Sequence, residues 1–205
     1  MRNRILWVLL GVMAIMIGLY PVMYFFVDKN FGLLSTKSND LLNSIAWNAG
    51  FYIHIISGGL ALVIGWLQFN DKLRTRNAKL HRFIGKVYII SVLMSSVASF
   101  CIAFYATGGI IASLGFISLA LIWFFTTMDA YLSIRNGKVH RHQKMMIYSY
   151  AACFAAVTLR IWLPLLNAYF GDFATAYRIV AWLCWVPNIL VAYIIINRKL
   201  NTEII

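Results

Sequence analysis

Six apolar runs constrain this chain more than any other feature. They lie at about 5–27, 47–69, 83–106, 109–133, 145–166 and 177–197, and each approaches the roughly 20 residues that a helix needs to cross the hydrocarbon core of a bilayer. Backbone polar groups in lipid must be satisfied within the segment, so runs of this length specify helices. The predicted fold class is therefore an all-α integral membrane protein of six transmembrane helices, with residues 1–205 forming a single polytopic domain. The first run follows Arg2 and Arg4. It is too long for a typical signal-peptide core and no small-x-small site follows it, so it reads as a retained helix.

The loops supply an orientation. The 70–82 loop carries Lys72, Arg74, Arg76, Lys79 and Arg82, the 134–144 loop carries Arg135, Lys138, Arg141 and Lys144, and the tail carries Arg198 and Lys199. The 28–46 loop is polar and balanced, with Asp28, Lys29, Lys37 and Asp40, and Asp172 is the one acid between the last two runs. Gly108 and Gly109 mark a tight reversal. With six alternating helices every cation-rich segment falls on one side. The positive-inside rule makes that side cytoplasmic, with both termini inside and the protein in a bacterial cytoplasmic (inner) membrane. Trp7, Trp47, Trp162 and Trp185 fall near expected helix ends, where interfacial anchors concentrate.

Composition narrows the partners. The chain is 62% hydrophobic with a mean hydropathy of +0.78, far more apolar surface than a soluble core of this size uses. The formal charge of +12 lies in loops flanking apolar runs, and no nucleic-acid motif accompanies it, so the partner is the lipid bilayer and not nucleic acid. Cys101, Cys153 and Cys184 lie inside apolar runs without a CxxC spacing and read as small core residues. Nothing in the composition fixes an oligomeric state.

Small and polar residues recur at helical spacing in the four middle runs. In the second, His54, Gly58, Ala61, Gly65 and Gln68 share one face. In the third, His81, Gly85, Tyr88, Ser95 and Ser99 do so; in the fourth, Gly115, Ser118, Phe125 and Asp129; in the fifth, His142, Ser149, Cys153, Ala156 and Arg160. Small residues allow close backbone approach and polar ones turn towards protein. The pattern predicts a central four-helix bundle of helices 2–5, flanked by helices 1 and 6, with helices 3 and 5 diagonal.

Depth separates the polar groups. His81, His142, Asp129 and Gln68 belong near the basic end, with His140 close by as a loop residue, and His54 and Arg160 belong near the opposite end. Ionisable groups inside a span are costly unless paired or wet, which makes Asp129 and Arg160 candidates for function. The structural alternatives are an ion pair of Asp129 with Arg135 or Arg82, and an Arg160 that snorkels to the headgroups. His81 and His142 stand near helix N-termini, where the dipole favours a neutral ring that can ligate a metal; ordinary interfacial hydrogen bonding is the alternative.

These residues also carry a resemblance. His54, Gly58, Ala61-Leu62, Gly65, Gln68-Phe69 and Leu73-Arg74 are followed by His81-Arg82, Gly85, Lys86 and Tyr88. Then come His142, Met146 and Tyr150-Ala151, and finally Thr158-Leu159-Arg160. Over about residues 50–165 this order resembles a bacterial family of small multipass membrane proteins catalogued as a domain of unknown function. Lys86, Met145 and Tyr148 depart from that pattern, which has Arg, Trp and Arg there. The resemblance implies a multipass core and no activity. The His81-Arg82…Gly85 element is also similar to a short stretch of ferric-reductase and cytochrome b561-type haem membrane proteins.

Three functions are compatible with these residues. In a redox-linked protein, His81 and His142 ligate a b-type haem, while His54 and Arg160 hold a quinone or another small ligand. In a zinc-dependent membrane hydrolase, His81, His142 and Asp129 are the metal ligands and leave a place for water. In a proton-coupled carrier or assembly factor, Asp129 and His54 are proton or ligand sites.

Overall fold

The computed structural model describes residues 2–26 and 32–202; Asp28 and Lys29 of the polar loop lie outside the described residues. The chain is an all-α membrane protein with six candidate spans: Trp7–Phe25, Ile45–Phe69, Ala78–Ala103, Ile110–Arg135, Val139–Phe170 and Phe173–Arg198. The fifth span begins earlier than its apolar run because the amphipathic stretch from Val139 to Lys144 is helical too. His140, expected in a loop, therefore sits in the first turn of that helix.

The second to fifth spans pack in a ring. The second lies between the first and third, the third packs on the fourth, and the fourth packs on the fifth, while contacts between the second and fifth close the ring. The first span leans on the outside of the second and the far half of the fifth; the sixth leans on the fourth and fifth. Trp7 meets Trp66 with ring centroids 4.2 Å apart, placing the start of the first span beside the end of the second.

Glycines set the closest approaches. A Cβ on Gly59 would lie 2.5 Å from the Gly18 carbonyl oxygen, and one on Gly65 2.6 Å from Tyr150 and 2.7 Å from Tyr88. Gly58 faces Ser95 in the same way. The second span thus presents its small stripe to the third and fifth spans, while Gly59, beside that stripe, receives the first.

At the centre, Tyr88, Thr127 and Ser149 are fully buried. Ser149 Oγ lies 2.8 Å from the Tyr88 hydroxyl and 2.6 Å from Thr127 Oγ1, and Thr127 donates to the Trp123 carbonyl at 2.7 Å. The third, fourth and fifth spans are joined by this one hydroxyl cluster, and Gly65 brings the second span against it. Thr127 was not in the expected stripe of the fourth span. Ala120, Trp123, Thr127 and Ala130 form its inward face, whereas Phe125 points out, 62% exposed.

The last two spans are interrupted. The fifth breaks at Phe154 between Val139–Cys153 and Ala155–Phe170, and the sixth between Phe173–Leu183 and Val186–Thr202, just before Pro187. The breaks face each other. Thr158 Oγ1 donates to the Cys184 carbonyl, and Asn188 Nδ2 donates to the carbonyls of Ala151 at 3.3 Å and Cys184 at 3.0 Å. Polar side chains replace lost helix bonds where lipid offers none. Trp185 is consequently a buried residue beside the break, donating to the Ala181 carbonyl at 2.9 Å, and not an interfacial anchor. Cys153 and Cys184 are buried as expected; Cys101 is exposed.

At the end opposite the basic loops, the polar loop contains the short helix Asn39–Asn43. It is tied to the reversal at Gly108 and Gly109 by Thr36, 2.9 Å from Thr107 Oγ1, and by Lys37, which donates to the Tyr105 carbonyl and to Thr107. Burial pushes the Lys37 ammonium down to about 8. Asp172 caps the sixth span; hydrogen bonds from the Thr175 hydroxyl and from the backbone N–H groups of Thr175 and Ala174 hold its carboxyl below the usual range.

Gly65→Ala tests the central packing. The added methyl meets two aromatic rings that have no room to move, so we expect a loss of about 1–3 kcal/mol, the usual cost of overpacking a core. Denaturant titration of the purified protein, followed by circular dichroism, measures it. A stability within about 0.5 kcal/mol of wild type would show that the rings can give way.

Candidate functional site

The basic end of the bundle carries a half-open cavity of about 680 Å³. The second span contributes Gln68 and Phe69, the third His81, and the fifth His140, His142, Gln143, Lys144 and Met146. Asp71 and Arg74 of the short helix Asp71–Arg76 complete its rim, with Ile196 from the sixth span. Asn70 and Asn77 start the flanking helices: Asn70 Oδ1 accepts from the N–H groups of Lys72 and Leu73, and Asn77 Oδ1 from Leu80 at 3.0 Å. This double cap turns the chain back on itself over eight residues and brings His81 opposite Gln68.

The polar atoms in this cavity are not all satisfied. His142 Nδ1 lies 2.8 Å from the Ala130 carbonyl. A carbonyl only accepts, so the ring hydrogen sits on Nδ1 and Nε2 keeps its lone pair. His81 Nδ1 and Gln68 Nε2 are buried without a hydrogen-bond partner among the described residues. His81 and His142 are near enough for their charges to interact. Gly85 leaves the space that Gln68 Oε1 enters, since a Cβ there would stand 3.3 Å from it. A buried unpaired polar atom costs about 1–3 kcal/mol, and both atoms belong to residues that line the pocket.

Asp129 does not join this cavity. Arg141 grips it with two nearly parallel bonds, Nε to Oδ1 at 3.0 Å and Nη2 to Oδ2 at 2.9 Å, and Ser133 donates to Oδ1 at 3.1 Å. The partner is Arg141, from the start of the fifth span, and not Arg135 or Arg82. The ion pair borders a separate depression of about 180 Å³ lined by Leu132, Ser133, Asn136 and Lys138. Among the described residues no three His, Cys, Asp or Glu side chains stand close enough to hold a metal ion.

At the far end, His54 and Arg160 are brought to one depth. His54 is nine residues from Ile45 and Arg160 ten from Phe170, which at about 1.5 Å per residue is roughly 14–15 Å of helix in each case. His54 Nδ1 lies 2.9 Å from Ser95 Oγ, which itself donates to the His54 carbonyl at 2.9 Å. Arg160 Nη1 donates to the Ala156 carbonyl at 3.0 Å, and its Cζ stands 4.5 Å from the centroid of Tyr20 in the first span. The guanidinium is close enough to act electrostatically on His54, Tyr24 and Tyr177. Sequence reasoning singled out His54 and Arg160 but missed the three tyrosines, because the first and sixth spans carry no polar stripe to draw attention to them.

The Asp129–Arg141 pair gives a measurable expectation. Its side chains are 30% and 59% exposed, so solvent screens the attraction. A double-mutant cycle with Asp129→Asn and Arg141→Gln should return a small coupling that shrinks as salt is raised. A salt-independent coupling of several kcal/mol would place the pair in a much drier setting.

A family model described as "Predicted membrane protein (DUF2306)" matches residues 51–196. No curated protein and no solved structure matches the chain.

Proposed function

The chain belongs to this family of predicted membrane proteins, whose description assigns no activity, and from its own residues we propose a redox-linked membrane protein that binds a b-type haem in the cavity at its basic end. The observation that carries this reading is a pair of imidazoles, His81 and His142, that line one pocket from two different spans. His142 offers Nε2 with its tautomer fixed by the Ala130 carbonyl, and His81 and Gln68 hold buried nitrogens without partners. Histidines on two different spans can approach a metal in a planar macrocycle from separate directions. A backbone carbonyl on the other ring nitrogen is the usual support for a ligating imidazole. The volume of about 680 Å³ lies within the 300–1,000 Å³ typical of cofactor sites. Phe69, Met146 and Ile147 give the ring an apolar bed, while Arg74 and Lys144 on the rim suit carboxylate substituents. His81 and His142 would hold the haem iron, and haem, when bound, would supply one-electron chemistry.

The zinc-hydrolase reading loses its third ligand, since Asp129 is held by Arg141 away from the cavity. The chemistry of the remaining donors, two imidazoles and a carboxamide, suits an iron already held by a macrocycle better than a bare zinc ion.

Protein purified in mild detergent, or reconstituted with hemin, should show a Soret band. His81→Ala and His142→Ala should each abolish it or shift it, while Asp129→Asn should leave it in place. A protein that stays colourless after hemin addition would sink the proposal, and about one zinc per chain by elemental analysis would reverse it in favour of the hydrolase.

We further propose that the basic end is cytoplasmic in a bacterial inner membrane, with both termini inside, because the cation-rich loops all lie there. Reporter fusions after Lys79 and Lys138 should report a cytoplasmic location, and fusions near Lys37 and Asp172 an external one. The opposite readings would invert the molecule.

A further inference from the structure

We propose that the far half of the bundle holds a second ligand, a membrane-soluble quinone, with the Arg160 guanidinium on its carbonyl oxygen. The site is separate from the haem cavity, and the inference stands whether or not that cavity holds haem.

The starting point is a cation at a depth where a cation is costly. Arg160 lies ten residues before the end of its helix and is only partly exposed, packed between the first, second and sixth spans. It does not attempt to snorkel: Nη1 turns back to the carbonyl of Ala156, one turn deeper, and the guanidinium plane meets the ring of Tyr20. Among the described residues no carboxylate lies within ion-pair distance of it. A guanidinium carries five N–H donors, and among the described residues one has a hydrogen-bond acceptor. The cation–π contact offsets part of the charge but satisfies none of the other donors.

The surroundings say what those donors are for. The first span crosses the second at Gly18 and Gly59, which sets Tyr20 and Tyr24 just beyond the crossing. The helix tightens there to a 3-10 turn that begins at Tyr20 and contains Pro21. Tyr20 and Tyr24 lie 5.8 Å apart by centroid, Tyr24 packs edge-on to Phe51 at 5.3 Å, and Phe51 stacks on Trp47 at 5.3 Å. Tyr24, Phe51 and Trp47 form a packed core behind Tyr20, and the Tyr20 ring beside a planar donor fork suits a flat ligand with a carbonyl on its edge. Pro164 contributes a matching acceptor. It has no N–H, so the carbonyl of Arg160, four residues earlier, lacks its helix partner. One residue thus provides donors for a quinone carbonyl and an acceptor for a quinol hydroxyl.

Depth selects this chemistry over a lipid headgroup. A phosphate would have to sink to the level of Arg160 with its charge and hydration, whereas a neutral quinone already partitions there.

The test uses the full-length protein in phosphatidylcholine nanodiscs, titrated with a decyl-substituted benzoquinone and followed by tryptophan fluorescence. Wild type should quench saturably, and Arg160→Lys, which keeps the charge but not the two-point fork, should weaken binding by about 10-fold or more. A photoreactive azido-benzoquinone should cross-link to the region of Tyr20, Tyr24, Arg160 or Tyr177, a readout that needs no variant to fold. Non-saturable quenching in wild type, equal affinity in Arg160→Lys, or cross-links confined to other regions would overturn the proposal. Displacement of the quinone by phosphatidylglycerol would also overturn it and assign the site to a phosphate headgroup.

Discussion

The bundle depends on one dry knot of hydroxyls. Tyr88, Thr127 and Ser149 come from three spans, are fully buried and hydrogen-bond to one another. Apolar contact alone discriminates poorly between helix faces in lipid, because the tails are as apolar as the side chains. A hydroxyl in hydrocarbon must find a partner or forfeit a bond worth about 1 kcal/mol net, and more if it is left bare. Three such groups meeting at one point fix rotation and register at once. Gly65 then allows the second span to close against Tyr88 and Tyr150, so the stripe of small residues and the knot are two halves of one device.

The same accounting explains the broken spans. A helix interruption in the membrane exposes carbonyls that neither water nor lipid satisfies. Thr158 and Asn188 supply those bonds across the interface between the fifth and sixth spans. The sixth span is therefore more than packing around a central bundle: its second half holds the fifth span in its interrupted form, and Arg160 is nearly two turns beyond the interruption.

How much of this was legible in the sequence depends on contrast within each helix. The second span alternates small and bulky residues, and its stripe of Gly58, Ala61 and Gly65 faces the third and fifth spans as read. The fourth span is almost uniformly apolar, so its face was misjudged: Phe125 points out and Thr127, a lone hydroxyl among rings, points in. Asp129 was recognised as needing a cation. Its partner was misassigned because Arg141 becomes available only when the fifth helix begins at Val139, earlier than hydropathy suggests. The breaks at Phe154 and Cys184 have no local signal apart from Pro187, since the residues that compensate them lie on the opposite helix. Arg160 was flagged by its charge alone, and its aromatic partner was missed because a tyrosine in the first span is unremarkable until the fold brings it there.

The knot also bounds what the two ends can exchange. Along the third span His81, Tyr88 and Ser95 recur every seven residues on one face, which places the cavity and the His54–Ser95 contact about 21 Å apart with the knot midway. Leu62, Ala61, Val92 and Tyr88 seal that midpoint at 0–1% exposure. A sealed, close-packed layer is not a route for a solute, and its hydroxyls already serve as partners for one another or for backbone carbonyls, so a proton relay through it would require breaking them. Electrons need no such opening, because aromatic side chains such as Tyr88 and Trp123 occupy the gap without leaving it. The two ends are therefore separate compartments of the fold, each with its own polar groups, and a solute passing between them would have to part the hydroxyl knot.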